Sequence, residues 1–172
     1  MKIRSPRRLI RPYRIVASVT AIPLAELKSE GVRGIIIDLD NTIVGWRLLE
    51  PAPEVAAWVR SALDAGFSLA IVSNNERAWV RSIASVLGIV TFVHTALKPL
   101  PFGVFRAMKQ LRVRRSETIV VGDQLFADIL AAKLLGIRAI LTDPIVTEEH
   151  PAMGFVRRLE RYALRGVTRE GM

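Results

Sequence analysis

Five short runs of mostly apolar, often β-branched residues are spaced so that each gap between them has room for a helix. They cover residues 34–39, 68–72, 91–93, 118–121 and 138–141. Each is too short for a buried helix, and their composition suits buried strands. Pro51 and Pro53 open a helical stretch with Val55, Trp58, Val59 and Leu63 on one face, and Gly66 ends it. Helical segments follow over 75–87, stopped by Gly88, from Pro101 to Leu111, and over 124–135, ended by Gly136. A short helix over 23–29 precedes the first strand. Strands alternating with helices predict right-handed βαβ units and a parallel sheet covered on both faces, in one α/β domain. With 172 residues and 51% hydrophobic content, the chain can bury the core of one such domain.

The chemistry sits where these strands end. Ile35-Ile36-Ile37 runs into Asp38-Leu39-Asp40-Asn41-Thr42. Residues i and i+2 of an extended chain face the same way, so both acids would enter the crevice at the carboxyl edge of the sheet. Two carboxylates so close repel unless a cation lies between them or one is protonated. Such a pair suits metal-assisted displacement, with one acid as nucleophile and one as proton donor. Taken alone, the segment reads equally as a solvated turn. Three further strand-end signals change that: Ser73-Asn74-Asn75 after 69–72, Lys98-Pro99, and Gly122-Asp123-Gln124 with Asp128 five residues after Asp123.

An Asp-x-Asp-x-Thr strand end, a strand-end Ser, a Lys, and a Gly-Asp followed by another Asp, in that order, resemble the haloacid-dehalogenase-like phosphatases. The wording Asp-Leu-Asp-Asn-Thr, Ser-Asn-Asn, Lys-Pro and Gly-Asp-Gln-Leu-Phe-x-Asp is similar to the capless (subclass III) YqeG-type branch and the related mitochondrial phosphatidylglycerophosphatases. The resemblance runs from about Ile22 to the C-terminus. It implies a single Rossmann-like three-layer domain with a five-stranded parallel sheet in the order 5-4-1-2-3, with no cap domain. About 35 residues separate Asp38 from Ser73 and about 25 separate Ser73 from Lys98, enough for one helix and its connections in each span.

The resemblance also implies roles. Asp38 is the nucleophile that forms an aspartyl-phosphate, and Asp40 protonates the leaving oxygen and later activates water. Ser73 and the Asn74 amide bind phosphoryl oxygens, and Lys98 neutralises the phosphate and restrains Asp38. Asp38, the backbone carbonyl of Asp40, and Asp123 hold the metal, for which hard oxygen donors favour Mg²⁺. Asp128 and Thr42 support this shell from behind. The blander readings are an N-cap for Asp123 and an ordinary surface lysine for Lys98.

Composition bounds the rest. The chain has no cysteine, so disulfides and thiolate metal sites are excluded. His94 and His150 have no partner at metal-ligand spacing. No run of about 20 apolar residues predicts a transmembrane helix. The net charge of +9 is concentrated at the ends, with +6 in residues 1–25 and +3 in residues 152–172. We therefore divide the chain into a basic N-terminal segment (1–21), a phosphatase domain (22–150) and a basic C-terminal helix (151–172). Basic ends expect an anionic partner. The expected function is a Mg²⁺-dependent phosphatase of phosphatidylglycerophosphate, cytoplasmic and peripheral on the inner face of a membrane.

Alternatives to this reading are a phosphatase of a soluble metabolite, nucleotide or phosphoprotein, or a nucleic-acid-binding protein on a phosphatase scaffold. Nucleic acid is disfavoured because only Tyr13 and Tyr162 interleave the basic runs. The first 25 residues also mimic an export signal, but Pro12 and Pro23 and the onset of the resemblance near Ile22 argue against cleavage. At the other end, Phe155, Val156, Leu159, Tyr162 and Ala163 share a helical stripe. They predict a helix docked on the body with a solvated basic face, or one lying on a membrane. Trp46, Leu48 and Leu49 either line the rim of the site or pack against Trp58. The cluster Arg106, Lys109, Arg112, Arg114 and Arg115 reads as a solvated helix end.

Overall fold

The computed structural model describes residues 10–46, 48–146 and 153–164. The expectations placed on Lys2, Arg4, Arg7, Arg8, His150, Arg165 and Arg169, and on the side chains of Phe155, Arg157 and Arg161, lie outside the described residues.

Six parallel strands form one sheet: β1 (Arg14–Val16), β2 (Gly34–Ile37), β3 (Ser68–Val72), β4 (Thr91–Val93), β5 (Thr118–Gly122) and β6 (Arg138–Thr142). Their order is β1-β6-β5-β2-β3-β4. The helices are α1 (Leu24–Ser29), α2 (Pro53–Asp64), α3 (Arg77–Val86), α4 (Phe102–Leu111), α5 (Leu130–Leu134) and α6 (Met153–Ala163). Strand residues alternate between the two faces of the sheet. Ile35 and Ile37 join the core under α2 and α3, with Trp58, Val80 and Ile83; Ile36 and Val120 join the other core under α4 and α5, with Val104 and Ala132. Ile35, Ile36 and Ile37 are all fully buried. This is why the run carries no polar alternation: the strand is covered on both faces.

The expected five-stranded order is present, extended by a sixth strand. β1 pairs with β6 in register Arg14↔Ile140 to Val16↔Thr142. Three residues are too few to show a period, and they lie in a segment whose charge dominates its reading. The charge of Arg14 is spent locally. Arg14 is bonded to Glu26 at 2.8 Å and to Glu30 at 2.7 Å, and Arg138 reaches Glu30 at 3.0 Å. The Tyr13 ring lies 5.4 Å from both guanidinium groups. These contacts latch β1 and β6 to α1, so Arg14 belongs to the body of the domain.

Two helices depart from expectation. The stretch predicted as one helix over 124–135 begins as a π-helical turn, Leu125–Ile129, before α5. α6 docks by a face rotated from the predicted stripe: Ala163 packs on the core and Val156 is half-buried, as the stripe requires, but Leu159 and Tyr162 turn outward. Glu160 is buried at 4% exposure, whereas Leu159 and Tyr162 are 44% and 64% exposed. Glu160 accepts hydrogen bonds from the backbone N–H of Leu125 at 2.7 Å and Phe126 at 3.4 Å. Those amides head the π turn and lack carbonyl partners within it, so their demand for an acceptor turns α6 toward Glu160.

Candidate active site

All strands point the same way, so the loops after β2, β3, β4 and β5 gather at one edge. β2 lies between β3 and β5, with Ile37 paired to Val121. Asp38 extends the ladder by one residue, donating its N–H to Val121 O at 2.9 Å. Its side chain is therefore fixed by the sheet at 6% exposure.

Beyond Asp38 the chain folds back on itself. Ile43 and Val44 both donate to Leu39 O, at 2.9 and 3.0 Å. Asn41 takes a left-handed conformation (φ 58°), which Asn tolerates better than most residues. Its side-chain oxygen accepts from the N–H of Trp46 at 3.0 Å and Val146 at 3.3 Å. This turn carries Thr42 under the site, with its hydroxyl 3.3 Å from Asp38 Oδ2 and 3.4 Å from Asp123 Oδ1.

Lys98 arrives from the loop after β4. Its ammonium is buried and bonded to Asp38 Oδ1 and, at 2.7 Å, to Asp128 Oδ1. Asp128 also accepts the Gln124 N–H at 3.1 Å through its other oxygen. To do so its carboxyl lies against Gly122, where a Cβ would fall 2.4 Å from Asp128 Cγ. Gly122 is thus required by close approach. The π turn at 125–129 carries Asp128 back to this position, and such turns recur at functional sites.

One ligand oxygen each from Asp38, Asp123 and Asp128 lies within 4.8 Å of the other two, and all three residues are buried. Burial raises the Asp38 carboxyl well above the ordinary carboxylate range. Lys98 pulls it down, and the charges of Asp128 and Asp123 push it further up. Burial alone would lower Lys98, but Asp128 and Asp38 more than reverse this and hold it protonated. Three carboxylates facing one ammonium leave a formal excess of two negative charges. An oxygen-only donor set with that excess fits a divalent cation. Asp128 gives its oxygens to the Lys98 ammonium at 2.7 Å and the Gln124 N–H at 3.1 Å, whereas Asp38 Oδ2 and Asp123 Oδ1 meet the Thr42 hydroxyl only in long contacts of 3.3 and 3.4 Å, which suits these two to turn an oxygen to a cation.

Asp40 stands apart from this group. Its carboxylate turns toward the loop after β3, where Asn75 Nδ2 donates to both oxygens at 2.9 and 2.7 Å. Ser73 Oγ lies 3.4 Å from Asp40 Oδ2. Burial raises the Asp40 carboxyl, and the Asn75 bond opposes it. Ser73 is fully buried and its hydroxyl accepts the Asn75 N–H at 3.1 Å. Asn74 pins Lys98 by its backbone, with its Oδ1 accepting Lys98 N–H at 2.8 Å and its Nδ2 donating to Lys98 O at 3.2 Å. α3 begins only at Arg77, so these residues form a loop rather than the first helical turn.

The structure therefore gathers Asp38, Asp40, Thr42, Ser73, Asn74, Lys98, Asp123 and Asp128 at one edge. Two contributors escaped the sequence reading. Asn75 was visible only as part of a motif, and its amide, capable of two hydrogen bonds beside a predicted acid, was the available signal. Glu160 was the lone acid in a basic helical turn. Leu48 and Leu49 stand exposed on the rim, while Trp58 is buried and donates to Ile22 O at 3.3 Å. Among the described residues, α2 alone separates β2 from β3 and α3 alone separates β3 from β4, so neither connection carries an inserted domain.

Comparison with known proteins identifies the family and the fold. The sequence model for haloacid dehalogenase-like hydrolases matches residues 22–136. The chain is 32% identical to the "Probable phosphatase YqeG" of Bacillus subtilis (strain 168), over 96% of this chain and 95% of that protein. It is 28% identical to the chloroplastic/mitochondrial phosphatidylglycerophosphate phosphatase 1 of Arabidopsis thaliana, over 96% of this chain and 50% of that protein. A cobalt-bound deoxy-D-mannose-octulosonate 8-phosphate phosphatase from Haemophilus influenzae shares the fold, with a TM-score of 0.53 at 18% identity over 80% of this chain and 90% of that one.

Proposed function

The chain belongs to the haloacid-dehalogenase-like hydrolases and is a phosphatase of that family; from that premise we propose a Mg²⁺-dependent phosphomonoesterase that acts on phosphatidylglycerophosphate at an anionic membrane face. The observation that carries the chemistry is the setting of Asp38. It is fixed at a strand end with the Lys98 ammonium on one oxygen and Thr42, beside Asp123, at the other.

Asp38 attacks phosphorus and takes the phosphoryl group, forming one P–O bond as the ester P–O bond breaks. Asp40 gives its proton to the departing oxygen and then accepts one from the water that cleaves the aspartyl-phosphate. Ser73 Oγ–H and the Asn74 amide bind phosphoryl oxygens, and Lys98 balances their charge. Asp38, Asp123 and the Asp40 carbonyl would hold Mg²⁺, which supplies Lewis-acid stabilisation of the phosphoryl charge. Asp128 orients Lys98, which in turn restrains Asp38.

Two arguments support the lipid substrate. The Arabidopsis relative is a phosphatidylglycerophosphate phosphatase by name. An uncapped mouth also admits a phosphate carried by something bulky, whereas enclosing a small substrate calls for a lid. Among the described residues no helix is long and apolar enough to cross a membrane, so the basic chain ends are the proposed electrostatic contacts. The test is a turnover screen with Mg²⁺ over phosphatidylglycerophosphate, other phospholipid phosphates and soluble phosphate esters. The expected result is preferred hydrolysis of phosphatidylglycerophosphate. Efficient turnover of a soluble metabolite with none on the lipid would replace this substrate.

A further inference from the structure

The edge where the site opens also carries a collar of exposed apolar side chains. Leu48 and Leu49 follow β2 and are 50% and 79% exposed, and Ile145 follows β6 at 43%. These two segments pack together at Gly45, where a Cβ would lie 2.8 Å from Leu48 and 3.2 Å from Ile145. On the other side, Leu97 and Leu100 bracket Lys98, and Phe102 opens α4, at 62%, 48% and 69% exposure. The strand order puts β4 on one side of Asp38 and β6 on the other, so the two groups flank the mouth. Single exposed apolar residues are ordinary, but a group of them around an opening marks a contact surface.

We propose that this collar is a membrane-docking surface: its side chains enter the headgroup–acyl boundary and hold the mouth over a lipid phosphate that stays in the bilayer. The inference rests on the phospholipid reading above. Its occupant follows from position. Whatever lies on the collar lies across the mouth, so a second copy or a folded protein seated there would shut the site. A bilayer instead presents the substrate phosphate at the mouth itself, with apolar chains below it to receive the collar. Contacts of this kind persist in salt, unlike attraction through the basic ends, so the two contributions separate experimentally.

The experiment compares wild type with two paired variants on separate loops, Leu48→Ser/Leu49→Ser and Leu100→Ser/Phe102→Ser. Cosedimentation with phosphatidylcholine–phosphatidylglycerol vesicles is measured at high salt. Turnover is measured on phosphatidylglycerophosphate in those vesicles, on a monomeric short-chain form of the same lipid, and on p-nitrophenyl phosphate. Each pair should lower vesicle partition about tenfold or more, the scale of leaving apolar side chains unburied, and lower vesicle turnover in parallel. Turnover of the two monomeric substrates should stay within about twofold, which also shows that the variants fold; two pairs guard against a folding defect in either. Variants that bind and act on vesicles as wild type does overturn the proposal. So does a concentration-dependent wild-type dimer that the substitutions disperse without any change at vesicles. A wild type that hydrolyses p-nitrophenyl phosphate but neither form of the lipid removes the phospholipid reading itself, and the docking surface with it.

Discussion

Lys98 holds together charges that would otherwise drive the site apart, so replacing it with Met should cost stability as well as activity. Its side chain is 6% exposed and bonded to two carboxylates that are as deeply buried. Removing one partner of a buried pair typically costs ~3–5 kcal/mol, because the remaining charge is stranded. A domain has only ~5–15 kcal/mol in total, and at this size each kcal/mol moves Tm by ~2–4 °C. Lys98→Met should therefore lower Tm by about 10 °C in chelator.

The sign of the pH dependence follows from Asp38. Burial lifts its folded-state value above the ordinary range, Lys98 opposes that rise, and the charges of Asp128 and Asp123 add to it. A carboxyl raised on folding favours the folded state while protonated and loses that contribution as pH rises through its folded value. Without Lys98 the rise is larger, so the deficit of the variant should grow as pH climbs above the ordinary carboxylate range. A divalent cation should narrow it by compensating the same charges. Thermal melts of both proteins in chelator and in Mg²⁺ from that range upward supply the assay. A Tm loss below about 2 °C, or a deficit larger at the acid end, would refute the reasoning.

Other substitutions separate the roles. Asn75→Ala frees the Asp40 carboxylate from its two bonds, so kcat on an alkyl phosphate should fall about tenfold or more while p-nitrophenyl phosphate, which needs little proton donation, changes far less; equal losses on both would make Asn75 merely structural. Asp123→Ala removes a metal-facing carboxylate and should raise the Mg²⁺ concentration for half-maximal activity steeply, or abolish activity; an unchanged Mg²⁺ titration contradicts the assigned ligand. Deleting residues 2–9 should weaken binding to anionic vesicles, whereas deletion through Val16 also removes β1 and the Arg14 ion pairs and should lower Tm by several degrees more. Matching melts for the two truncations would contradict the structural role given to β1.

The strand ends were legible because burial on both faces leaves a continuous apolar run, and a carboxylate that ends such a run stands out. β2, β3 and β5, with Asp38, Ser73 and Asp123 behind them, could be located by that contrast alone. What the sequence does not encode locally is the identity of the partner. Asp38 and Asp40 share a motif, yet Asp38 is bonded by Lys98, 60 residues on, which also bonds Asp128, a further 30 residues on, while Asp40 is claimed by Asn75. Two residues on, Asp40 turns its carboxylate to Ser73 and Asn75 in the loop after β3. β1 escaped for want of length, since Arg14-Ile15-Val16 shows no period and its arginine resembles its basic neighbours until Glu26 and Glu30 are seen against it. The predicted stripe on α6 held at Val156 and Ala163 but not at Leu159 and Tyr162: hydrophobic spacing ranks Leu159 above Glu160, but two backbone amides at Leu125 and Phe126 outweigh that preference.

The central claim is that Asp38 carries the phosphoryl group. Asp40→Asn, given an activated ester such as p-nitrophenyl phosphate with Mg²⁺, should accumulate phospho-enzyme, because the first step then needs little acid catalysis and the second lacks its base. Rapid acid quench and peptide mass spectrometry should place one phosphoryl group on the carboxylate of residue 38, and Asp38→Asn should give neither label nor turnover. A phosphoryl group found on another residue, or substantial steady-state turnover by Asp38→Asn, would contradict the account.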